Sequence, residues 1–127
     1  MESPSLLFGL EETGAADYRT PQDCLFLREL DARAKAYPWY GDGWSRDDRT
    51  IVSVCLIESG VLRTTLRIDF FGDSLHLGYD TTHQLVEDLD LADATTEIIH
   101  GISIPEMANM AADWIEARIQ TFNDSEA

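Results

Sequence analysis

The clearest pattern in the chain is a two-residue alternation near its middle. Over residues 61–70, Leu62, Thr64, Leu66, Ile68 and Phe70 alternate with Arg63, Thr65, Arg67 and Asp69, as in a strand with one face turned to a core. Residues 50–58 form a second strand-like run, and Ser59-Gly60 between the two is a two-residue hairpin turn. Gly72-Asp73 supplies another tight turn, and residues 74–79 a third strand. The expected product is a three-stranded antiparallel meander, four-stranded if the ambiguous stretch 95–100 joins it.

Because residues opposite one another share a face, the turns imply a register. A two-residue turn at 59–60 sets Ile57 opposite Leu62, Cys55 opposite Thr64 and Ile51 opposite Ile68. A turn at 72–73 sets Phe70 against Leu75, Ile68 against Leu77 and Asp69 against His76. One face is then apolar throughout. The other carries Val52, Val54 and Leu56 beside Arg63, Arg67, Asp69 and His76, a mixed surface suited to partial cover or to binding.

Helical spacing flanks these strands. Thr20-Pro21-Gln22-Asp23 opens a helix with Thr20 as N-cap, proline in the first turn and an acid at the third position. Leu27, Leu30 and Ala34 share a side, and the helix runs to about Ala36 before Pro38 stops it. Asp80-Thr81-Thr82 can start a short helix over 82–91 with Leu85, Val86 and Leu89 inward. A last helix opens at Ser103 or Ile104, ahead of Pro105-Glu106, and reaches about Phe122. It presents Ile104, Met107, Ala108, Ala111, Trp114, Ile115 and Ile119 to the core. The fold class is thus α+β: a meander sheet packed against an N-terminal and a C-terminal helix, plus one short helix. Residues 1–127 read as a single domain, with a loosely ordered arm over 1–19 and a frayed tail over 123–127.

Composition narrows the setting. The chain has 127 residues, 44% of them hydrophobic, enough for one core. No apolar run approaches the ~20 residues that span a bilayer, and Met1-Glu2-Ser3-Pro4-Ser5 lacks the basic start of a secretory signal. A cytoplasmic protein is expected, with Cys24 and Cys55 reduced.

Charge changes the picture most. Twenty-four acids against nine bases leave a net −15. From Asp80 onward, eleven acids face the one base Arg118. Such a chain repels phosphate backbones and anionic membranes, which are bound through Lys and Arg; direct nucleic-acid and membrane binding are disfavoured. What remains is attraction to a basic protein partner, occupation of a nucleic-acid-binding cleft by mimicry, or acidity serving solubility alone.

Catalytic signatures are missing. Gly41-Asp42-Gly43 lacks the further glycine of a phosphate loop, and Asp88, Asp90 and Asp93 lack the glycine and closing glutamate of a calcium loop. No cofactor is implied and no catalytic residue stands out. The best chemical cluster is His76, Asp80 and His83 with Asp69 nearby, a weak candidate for a divalent metal or for general-base work. Trp39, Tyr40 and Trp44 lie in the Gly/Pro-rich loop 37–44 and either fold over the mixed sheet face or form an interaction hot spot.

By elimination the sequence suggests a small acidic protein-binding module, of the kind found in inhibitors or antitoxin-like immunity proteins, that masks a basic surface. The basic partner would be a toxin or a nucleic-acid-binding enzyme. The partner-binding residues expected are Trp39, Tyr40, Trp44, Asp80, Glu87, Asp88, Asp90, Asp93 and Glu97. The alternatives are a chaperone-like or structural homodimer subunit and a small metal-dependent enzyme.

Overall fold

The computed structural model describes residues 20–33, 41–45, 48–80, 89 and 91–126. Five strands follow helix α1 (Pro21–Arg33): β1 (Gly41–Ser45), β2 (Thr50–Glu58), β3 (Val61–Phe70), β4 (Ser74–Asp80) and β5 (Glu97–His100). Helix α2 (Ile104–Glu126) ends the order. The strands form one antiparallel sheet in the order β1-β2-β3-β4-β5, each hydrogen-bonded to its neighbour in sequence. The α+β class and the meander stand. The sheet takes the four-stranded option, because Glu97–His100 joins it, and is wider than expected at the other edge, where Gly41–Ser45, taken from sequence as loop, pairs with β2.

Each helix start is fixed by reciprocal capping. The Thr20 amide donates to Asp23 Oδ2 (3.0 Å), and the Asp23 amide donates to Thr20 Oγ1 (3.1 Å). Ser103 and Glu106 repeat this at α2, where the Ser103 amide and hydroxyl donate to Glu106 Oε1 and the Glu106 amide donates to Ser103 Oγ. Orphan amides of the first turn are thereby satisfied. Helix α2 continues to Glu126, past the expected end at Phe122, since no glycine or proline stops it. Gln120 Nε2 donates to Asp124 Oδ1 across its last turns. The expected end of α1 at Ala36 and most of the short helix 82–91 lie outside the described residues. Leu91 and Ala92 form a turn.

The Ser103 amide, and then its hydroxyl, hold the Glu106 carboxyl below its ordinary value of 4.5. A carboxyl depressed by folding stabilises above its unfolded pKa, and that contribution is lost as pH falls through the folded value. Glu106→Gln should therefore be less stable than the parent at neutral pH. The gap should narrow in acid, as pH falls through that depressed value and the protonated acid comes to resemble the amide. Denaturant titrations at neutral and acid pH check this, and an equal gap would remove the capping charge from the account.

The sequence register holds for β3–β4: Phe70 pairs with Leu75, Asp69 with His76 and Ile68 with Leu77. For β2–β3 it holds only at the hairpin. Ile57 faces Leu62 as expected, but Leu56 then faces Thr64, leaving Arg63 without a Cα partner. This β-bulge shifts the rest of β2 by one residue, and a shift of one exchanges the faces. Cys55 pairs with Thr65, Val52 with Ile68, and Ile51 with Asp69. The expected pairs Cys55–Thr64 and Ile51–Ile68 are corrected accordingly.

The bulge gathers the apolar residues more completely than the simple register would. Val52, Val54 and Leu56 join Leu66, Ile68, Phe70, Leu75 and Leu77 on the face covered by both helices. From α1 come Phe26, Leu27 and Leu30; from α2 come Met107, Ala108, Ala111, Trp114, Ile115 and Ile119. Phe26 and Phe70 stack with ring centroids 4.3 Å apart and planes 3° from parallel.

Candidate functional site

The bulge puts Ile51, Ser53 and Cys55 on the opposite face with Thr65, Arg67, Asp69, His76 and Asp80. From sequence this face appeared mixed and at most partly covered. Instead Ile51, Ser53, Thr65, Arg67 and Asp69 are all buried. Part of the cover comes from Leu89 and Thr96. A Cβ built on Gly78 would stand 3.3 Å from Leu89 Cδ2 and 3.1 Å from Thr96 Oγ1, so glycine permits this close approach. Cys24 on α1 and Cys55 on this far face are both free.

At the centre lies a buried ion network. Arg67, only 1% exposed, grips Asp69 with two bonds: Nε donates to Oδ1 at 2.8 Å and Nη2 to Oδ2 at 2.9 Å. Its Nη1 donates to Asp80 Oδ2 at 3.2 Å. Arg49 adds a further bond to Asp69 Oδ2 at 2.9 Å and two bonds to Asp48. Burial works against the Arg67 charge. The Asp69 hydrogen bonds and charge, followed by those of Asp80, outweigh it and raise the guanidinium pKa. Two arginines face the buried Asp69 and the part-buried Asp80, with the exposed Asp48 at the rim, so each buried charge has an opposite partner, the condition under which buried charges persist.

This geometry bears directly on the metal and general-base candidates. Asp69 accepts three guanidinium N–H bonds and Asp80 a fourth, so both carboxylates are engaged with cations. The His76 ring packs against Phe71, centroids 4.7 Å apart, and Arg49 lies over the other partner of that pair, 4.8 Å from the Phe71 centroid. Among the described residues no three His, Cys, Asp or Glu side chains are grouped as metal ligands. His83 lies outside the described residues.

The expected partner-binding residues are spread over different settings. Asp80 ends β4 with its side chain turned into the ion network. Asp93 caps an exposed turn, accepting from the Thr95 amide at 2.8 Å and hydroxyl at 2.7 Å. Those bonds, the amide's first, hold its carboxyl below the usual range. Glu97 is exposed on β5, 3.5 Å from Arg118 Nη2. Trp44 belongs to β1, where it pairs with Ile51. Trp39, Tyr40, Glu87, Asp88 and Asp90 lie outside the described residues.

Sequence reasoning missed the groove between the open end of the sheet and the C-terminal half of α2. It measures about 440 Å³ and is lined by Leu56, Thr64, Tyr79, Ala117, Arg118, Thr121 and Phe122. The Arg118 guanidinium lies over the Trp114 ring, 4.4 Å from its centroid, and Tyr79 tilts against the same ring at 6.1 Å. The only hint in the sequence was Arg118 itself, the lone base after Asp80.

Comparison with protein-family models, curated proteins and solved structures finds no match. Among the described residues no helix is long and apolar enough to cross a membrane.

Proposed function

We propose that this chain is a small binding module whose acidic surface masks a basic face of a partner protein. The observation that carries the reading is the fate of five of its nine basic residues. Arg33, Arg49, Arg63, Arg67 and Arg118 each pair with a carboxylate of the same molecule. Local pairing neutralises the first four of these, Arg118 being held by Glu97 only at 3.5 Å, while the chain keeps fifteen negative charges in excess. A field of one sign steers an oppositely charged partner and repels nucleic acid. The finer form of the proposal is a cytoplasmic, non-enzymatic inhibitor or immunity protein that covers the cationic cleft of a toxin or nucleic-acid-processing enzyme.

Association kinetics test it. With the partner recovered by affinity capture, the association rate should fall at least ~10-fold between ~0.05 and ~0.5 M salt. The double reversal Asp88→Lys/Asp90→Lys should slow association at low salt and flatten that dependence. A rate indifferent to salt would reject electrostatic docking, and unchanged kinetics in the double variant would reject the 80–97 segment as the surface.

A further inference from the structure

Three buried polar atoms at or beside the groove under α2 have no hydrogen-bond partner: Thr64 Oγ1, Trp114 Nε1 and Arg118 Nε. Thr64 and Arg118 line the groove, while Trp114, 6% exposed, touches two lining residues, Tyr79 and Arg118. An indole N–H and a guanidinium N–H can only donate, and a threonine hydroxyl can donate as well. Leaving such groups buried and unmatched is costly, so native proteins keep few of them. Two on residues of the groove wall and one beside it, these donors call for an acceptor from outside the chain.

Charge and shape define the rest of the ligand. In a chain of net −15, none of the residues lining this groove is acidic, and one is arginine. Within the chain the exposed Glu97 takes Nη2 at 3.5 Å and the Trp114 carbonyl takes Nη1 at 3.3 Å, which leaves Nε for a ligand. Leu56, Tyr79 and Phe122 supply apolar wall. A volume of about 440 Å³ lies within the range of small-molecule sites. We propose that this groove binds a small organic acid with an apolar body, its carboxylate received by Arg118, Trp114 Nε1 and the Thr64 hydroxyl. Glu97, through its contact with Arg118, is the one link between this site and the 80–97 segment among the described residues. The groove sits on the helix-covered side of the sheet, away from the Arg67 network.

The test uses the full chain labelled with nitrogen-15. The indole N–H signal of Trp114 is assigned by its loss in Trp114→Phe and followed against octanoate, octan-1-ol and octan-1-amine. Octanoate should shift it saturably with a Kd of ~0.1–1 mM, the alcohol should bind about tenfold more weakly, and the amine should leave it unmoved. Thr64→Val and Arg118→Met should each weaken octanoate about tenfold while the rest of the spectrum keeps its dispersion. Absence of a saturable shift by ~5 mM octanoate overturns the proposal. So does an equal response to the amine, which would mark simple partitioning into an apolar cleft. The comparison of three head groups on the parent chain decides the matter even if a variant fails to fold.

Discussion

Replacing Arg67 with methionine will lower the unfolding free energy by about 3–5 kcal/mol, the cost of removing one partner from a buried ion pair. Methionine fills much of the volume, so the loss is electrostatic. Asp69, 1% exposed, keeps only Arg49 from the network, and Asp80 loses its 3.2 Å bond. A small domain has about 5–15 kcal/mol in total, so the variant should stand near the edge of folding at room temperature. The paired change Arg67→Met/Asp69→Leu removes the more deeply buried of the two carboxylates and should recover about half of the loss, since Arg49 still has Asp48 while Asp80 stays without Arg67. Urea titrations of the three chains measure this. A double variant as weak as the single one would show that packing, rather than unmatched charge, sets the penalty.

Phe70→Ala should cost a similar ~3–5 kcal/mol for a different reason, the loss of a large core ring and the cavity it leaves. Phe70 is fully buried and stacks on Phe26, tying β3 to α1. A double-mutant cycle with Phe26→Leu should return a coupling of about 0.5–1.5 kcal/mol. Additive losses would mean that the two rings stabilise through separate contacts.

The contrast between these two sites explains what the sequence could reveal. Phe70 was legible because the alternation of β3 and the turn at Gly72-Asp73 placed it opposite Leu75, as observed. The helix starts were equally readable, since Thr20 and Ser103 act within their own first turns. Arg67 was placed on the correct face of its strand, but its burial was not visible. A strand pattern separates two faces without saying whether the second is covered, and arginine is almost never fully buried without partners. The bulge was hidden for a related reason. One extra residue at Arg63 sets Leu62, opposite Ile57, on the other face from Thr64, opposite Leu56, and the unbroken alternation of residue types along β3 gives no sign of that break. Strand β1, with Gly41, Asp42 and Gly43, carries residues depleted in strands, and pairing with β2 overrides that local preference. The groove depends on Thr64, Tyr79 and Arg118 meeting across three elements, a proximity that no local pattern encodes.

The order β1-β2-β3-β4-β5 also shapes how the chain matures. Each strand meets the one made just before it, and all the connections but that of residues 81–96 are short, a local topology of the kind that folds quickly. Helix α2 follows all five strands in sequence, yet it supplies Met107, Trp114, Ile115 and Ile119 to the core. During synthesis the meander is complete while half of its oily side still awaits a lid. Nascent chains paused before residue 104 are therefore the form most exposed to chaperones and to self-association.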